Sequence, residues 1–219
     1  MGAFLHTRVL RWGIGVFVVV GGRTVLAQGA GLDSATAAAI APIVAEARAA
    51  GLPVDLLTAK AREGQVQRVP LPKIEAAVRA VAARIRVAND ALAPKPSDDE
   101  LRAAVDAIKS GVPVETLKYM RKAGGDGSLT VPLGVLTSLI LRGVPVEKAS
   151  LQVVELLQRG ATAPNFIALE ERVRQDVLAG RRPDESLDLR LKGIMSNLPQ
   201  SATADGAGLT NASTPKRPR

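Results

Sequence analysis

SGVPVETL, Ser110 to Leu117, is followed 32 residues later by RGVPVEKA, Arg142 to Ala149, and preceded by a looser version, AGLPVDLL, Ala50 to Leu57. Each residue type in the shared box has a backbone reason for its place. Gly51, Gly111 and Gly143 stand where a helix should stop, because glycine tolerates the left-handed conformation that ends one. Pro53, Pro113 and Pro145 come two residues on, where a fixed φ suits a first helical turn and the missing N–H costs nothing. Glu115 and Glu147 then face the positive end of a new helix dipole. Val112, Val114, Val144 and Val146 can bury the connection against its neighbours. The box therefore reads as a joint between helices and not as a ligand signature.

A joint should punctuate the chain regularly, and the prolines at 53, 70, 94, 113, 132, 145, 164 and 183 are separated by 17, 24, 19, 19, 13, 19 and 19 residues. A helix of about 12 residues plus a short turn fills nearly that spacing. The expected fold is all-α: eight or nine short helices in antiparallel pairs, as an irregular α-solenoid or orthogonal bundle, with two-helix units recurring every 32 to 38 residues in the second half. Helical periodicity supports this. Ile74, Val78, Val81, Ile85 and Ala88 share one face, and Leu101, Ala104, Val105 and Ile108 repeat the spacing. Ser97 and Glu100 form a capping box before the latter run. Leu133 to Leu141 and Val146 to Leu157 are apolar nearly all round, so these are expected to be the most buried helices. With 2% aromatic residues, packing must rest on close contact between aliphatic helices.

The N-terminus reads differently. Arg8 and Arg11 precede an uncharged run from Trp12 to Val20, and Val25, Leu26 and Ala27 put short residues before a cleavage point between Ala27 and Gln28, the pattern of an export signal. Arg23 interrupts the run too early for a spanning helix of roughly 20 apolar residues. The expected organisation is a cleaved signal at 1–27, a lead-in at 28–34, one helical domain at 35–199 with a Gly-rich break near 123–128, and a disordered basic tail at 200–219. Three arginines and no acid leave with the signal, so the formal charge falls from +8 to +5, and Lys216, Arg217 and Arg219 supply three of the remaining bases. The lone His6 leaves too. Without histidine or cysteine, no Ser–His–Asp or Cys–His nucleophile system can be assembled, and zinc lacks its usual ligands. The expectation is no metal and no cofactor.

Three further clusters carry possible binding chemistry. Gly124, Gly125, Asp126 and Gly127 lie in a loop whose backbone N–H groups suit a phosphate, although it lacks the lysine of a P-loop and the ligand series of a calcium loop. Lys73, Arg79, Arg84 and Arg86, together with Lys216, Arg217 and Arg219, are candidate contacts for an anionic partner, such as acidic lipid or polysaccharide. Nucleic acid is not expected, since only Tyr119 and Phe166 remain as stacking platforms. The period matches neither the tetratricopeptide pattern nor the ankyrin TPLHxA box. EGQVQRVPLPKIEAAVRA, Glu63 to Ala80, and SGVPVETL resemble segments of uncharacterised exported α-helical proteins of high-GC bacteria over Gly51 to Leu157, a resemblance that implies export and helices but no activity. The functional expectation is a non-enzymatic exported module of a bacterial envelope, binding or scaffolding another envelope protein, with its oligomeric state left open. The alternatives are a carboxylate-dependent cell-wall glycan-cleaving enzyme and a peripheral binder of anionic surfaces.

Overall fold

The joint glycines are left-handed: φ is +68° at Gly51, +94° at Gly111 and +98° at Gly143 in the computed structural model, which describes residues 31–198. Each closes the helix before it with the same pair of bonds. Gly111 N donates to Ile108 O and Val112 N to Ala107 O, both at 3.0 Å; Gly143 N donates to Ile140 O at 2.9 Å and Val144 N to Leu139 O at 3.1 Å. This is the Schellman closure, which satisfies carbonyls that a helix end leaves without partners. It recurs at Gly160 and Gly180, which the GVPVE box does not mark. Pro113 and Pro145 sit one residue earlier than expected. Their ψ values of 143° and 137° are extended, so they act as N-caps and the helices begin at Val114 and Val146.

Nine helices and no strand occur among the described residues: α1 Ser34–Ala49, α2 Asp55–Val66, α3 Leu71–Ala91, α4 Asp98–Lys109, α5 Val114–Gly124, α6 Thr130–Leu141, α7 Val146–Gln158, α8 Ala163–Leu178 and α9 Pro183–Met195. Helix α3, at 21 residues, is the spine of the N-terminal part, packing on α1, α2, α4 and α5. Beyond it the helices follow in the order α4–α5, α6–α7 and α8–α9, of which α6/α7 and α8/α9 pack on each other while α5 packs on α3 and α7. Helices α4, α6 and α8 pack side by side in one layer, and α5, α7 and α9 in the other. Neighbours within a layer are parallel. Glu100, at the start of α4, touches Leu129 at the start of α6, and the Gly111 joint after α4 faces Val146 at the start of α7. The expected all-α array of short helices and its period of 32 to 38 residues are present.

Three local features depart from expectation. Helix α1 takes in Ser34, capped by Asp33 Oδ1 accepting from Thr36 N at 2.7 Å, so the lead-in is shorter than 28–34. It also continues through Pro42, which lies on the exposed side where the carbonyl it leaves without a donor can face water. Helices α6 and α7 are not buried all round, since Leu141 and Leu151 are 75% and 69% exposed. The expected signal with its Ala27–Gln28 cleavage point, the rest of the lead-in and the 200–219 tail lie outside the described residues.

Candidate functional site

Two polar constructions bear on the candidate sites. The first lies where α3, α4, α5 and α6 meet end to end. Glu100 is the third residue of its helix and reaches back to accept from Ser97 N at 2.9 Å, completing the capping box. Its other oxygen accepts from Leu129 N and from Arg121 Nη2, each at 2.7 Å. Arg121 then donates to the carbonyls of Leu92 at 3.2 Å and of Gly125 and Gly127 at 3.1 Å. One buried ion pair thus ties the end of α3, the start of α4, the end of α5 and the start of α6.

This latch decides two of the candidates. The glycine loop, with Gly124 closing α5 and Gly125, Asp126 and Gly127 following, borders a cavity of about 570 Å³ that Glu100 and Arg121 also line. Its carbonyls are held inward by Arg121, and Gly127 N–H donates to Gly124 O, so the loop is a fastened connection that bridges the Gly-rich break. Glu100 is the buried carboxylate that a glycan-cleaving enzyme would need. Burial opposes its ionisation, but the donors from Leu129, Ser97 and Arg121 outweigh burial and hold it below the ordinary carboxylate value. A general acid working near neutral pH needs the opposite shift. Of the two aromatic rings that could grip a sugar, Phe166 is fully buried and Tyr119 stands 61% exposed.

The second construction is a groove of about 720 Å³ between α4 and α6. Asp99, Arg102, Ala103 and Asp106 form the α4 wall; Thr130, Gly134, Thr137, Ser138, Leu141 and Arg142 form the α6 wall. Gly134 is the unusual choice. Mid-helix glycine costs about 1 kcal/mol relative to alanine, and a Cβ built at Gly134 meets nothing within 4 Å. No contact among the described residues therefore requires glycine there. Thr137 Oγ1 and Arg142 Nε, on the same wall, are buried without a hydrogen-bond partner among the described residues. Buried polar atoms are satisfied in the great majority of cases, so two on one groove wall need an explanation. Ser138 and the other end of Arg142 are engaged with Glu170 of α8, at 2.7 and 3.1 Å. The Ser138 hydroxyl does most to hold the Glu170 carboxyl below its ordinary value; burial opposes this, and Arg142 adds to it.

The four bases of α3 do not form one patch. At 3.6 residues per turn Lys73 and Arg84 share one side, with Arg79 and Arg86 about 140° away. Arg79 pairs with Glu75 at 2.6 Å, and Arg86 Nη2 lies 2.7 Å from Glu46 Oε1. Lys216, Arg217 and Arg219 lie outside the described residues. Beyond the groove, α8 joins α9 through Asp176, which takes two bonds from Arg190 at 2.8 and 2.6 Å and one from Ser186 Oγ at 2.7 Å. Sequence reasoning missed the groove. The available signal was Gly134, a helix-breaking residue inside an apolar run and two residues after Pro132, too late in the helix to serve as its joint. No protein-family model matches this chain, and neither a curated protein nor a solved structure shows significant similarity to it.

Proposed function

We propose that the chain is a non-enzymatic helical binding module of the bacterial envelope, exported through the segment 1–27, and that the α4–α6 groove is where it holds a partner protein. The observation that carries this reading is the coincidence on one wall of an interior glycine that internal packing does not require and two buried polar atoms without partners among the described residues. A partner chain entering the groove would gain close approach to the α6 backbone over the exposed Gly134. Grooves between helices are ordinary places for such sites. The fastened glycine loop and the ionised Glu100 support binding over catalysis.

Site-specific photo-cross-linking tests the proposal. A photoreactive residue at Leu141, on the groove, should give a discrete adduct in intact envelopes, and the adduct should vanish when Gly134→Leu fills the groove. The same residue at Leu151, exposed on the other layer, is the control. No adduct from Leu141, or one that survives Gly134→Leu, would refute the reading.

A further inference from the structure

Helix α8 packs chiefly on α6 and α9, and the face turned away from them is patterned. Ile167, Glu171, Arg174 and Leu178 follow one another at spacings of four, three and four residues. At 3.6 residues per turn they fall within a strip about 60° wide. The ends of the strip are large apolar side chains standing in solvent, Ile167 at 53% and Leu178 at 73% exposure. Its middle is an ion pair, Glu171 with Arg174 at 2.6 Å, whose two side chains are also open to solvent. Spacings that alternate between three and four are those by which one helix packs along another. On α8 that seam lies uncovered.

Along the strip the order of types is apolar, acidic, basic, apolar. A second helix laid antiparallel on it must therefore present apolar, basic, acidic, apolar at the same levels, which is this strip taken from its C-terminal end. Positions 167 and 178 share their midpoint with 171 and 174, between residues 172 and 173. A two-fold axis through that midpoint sets Ile167 against the partner's Leu178 and Glu171 against the partner's Arg174, and repeats both contacts in reverse, as an isologous interface requires. We infer that this face of α8 is a self-association surface, on which a second copy of the chain docks its own α8 antiparallel. Ile167 and Leu178 close the contact at ends about 16 Å apart, and between them each carboxylate comes within reach of two guanidiniums, its own and the partner's. A parallel pair would instead set glutamate on glutamate and arginine on arginine. An anionic membrane surface would select unpaired bases, whereas the one arginine of the strip is matched by its one glutamate. This surface stands apart from the α4–α6 groove, since none of its four residues lines that groove.

Disulfide trapping and sedimentation velocity with the full chain test this. The chain contains no cysteine, so introduced ones report alone. An equimolar mixture of Ile167→Cys and Leu178→Cys chains should form a mixed disulfide dimer under mild oxidation. Neither variant should link to itself, because the two-fold axis sets like positions about 16 Å apart along the helices, beyond the roughly 7 Å between Cα atoms that a disulfide spans. In sedimentation velocity the unchanged chain should populate a dimer by about 1 mM, the weak end of the affinity scale. Arg174→Glu should weaken that association by about 30-fold, as two exposed attractions become two repulsions of like size, and Glu171→Arg should do the same. Mixed together, the two charge-reversed chains should associate at least as well as the unchanged one, since each supplies the charge the other lacks. Far-UV circular dichroism of every variant should match that of the unchanged chain, all four positions being on the surface. Absence of the mixed disulfide, self-linking of either cysteine variant as ready as that of the mixture, a chain that stays monomeric to about 1 mM, or charge-reversed chains that fail to associate on mixing would each overturn the inference.

Discussion

At the residue scale the left-handed positions offer opposite tests of one physical rule. Six helix ends close in the Schellman manner on a residue in that region, and five of those residues are glycines: Gly51, Gly111, Gly143, Gly160 and Gly180. The sixth is Arg68, with φ of +55°, which ends α2 while Val69 N donates to Gly64 O at 2.9 Å. A side chain in this region brings Cβ too close to the carbonyl, at about 1–2 kcal/mol. Gly143→Val should therefore destabilise by about 1–2 kcal/mol in urea denaturation, and by backbone strain alone, since the added Cβ would meet only Pro183 Cγ at an ordinary 3.7 Å. Arg68→Gly should do the reverse, stabilising by about 0.5–1 kcal/mol after the greater freedom of glycine in the unfolded chain is subtracted. Unchanged midpoints for both would mean that these positions do not hold the conformation assigned to them.

Among the elements, what could be read beforehand was whatever neighbouring residues decide. The joints, the capping box at Ser97 and Glu100, and the spacing of the pairs follow from φ preference, hydrogen bonding within four residues and helical period, all of which leave marks in a short window of sequence. Arg121 finding Glu100, Arg142 finding Glu170, and Arg190 finding Asp176 depend on how helices stack, and a charged residue on a helix looks alike whether it faces solvent or a neighbour. The groove was hidden for the same reason: Leu133 to Leu141 reads as a buried run until α4 is set beside it. Asp176 shows how such a contact governs an element. It is 8% exposed, and its bonds to Arg190 and Ser186 join the last turn of α8 to the first turn and the middle of α9. Asp176→Asn would leave Arg190 without its paired charge and break the two-pronged geometry. Hydrogen exchange should then accelerate in α9 and the last turn of α8 while α1 to α5 keep their protection. Uniform acceleration along the chain would instead mean that α9 unfolds only with the whole.

Across the whole molecule, a layered array in which each pair packs chiefly on its neighbours can lose its end without losing its middle. The acids whose ionised forms the fold favours are unevenly placed along this array. Glu63 lies on α2 and Glu100 on α4, but Glu170, Glu171 and Asp176 all lie on α8. Glu171 is lowered to about 2, first by hydrogen bonding from Arg174 and then from Gln175. Asp176 is lowered further by Arg190, with Ser186 adding to it. A carboxyl whose pKa is lower in the folded state binds its proton more readily when unfolded. The stability it contributes is therefore complete above the unfolded value of about 4 and is lost as pH falls through the folded one. For α8 that window runs from about pH 4 down towards 2, and the losses at Glu170 and Asp176 fall on its packing surfaces against α6 and α9, while that at Glu171 falls within α8 itself. As pH is lowered from 5 to 2.5, hydrogen exchange corrected for intrinsic rate should rise first in α8 and α9, with α3 and its neighbours following at lower pH. Glu171 and Arg174 are exposed enough for salt to screen them, so about 0.5 M salt should already weaken their share at neutral pH while leaving the enclosed Asp176 cluster largely intact. An acid transition that begins at α1 to α3, or strikes all helices together, would show that the array behaves as one cooperative block and that the carboxylates of α8 do not set its weak end.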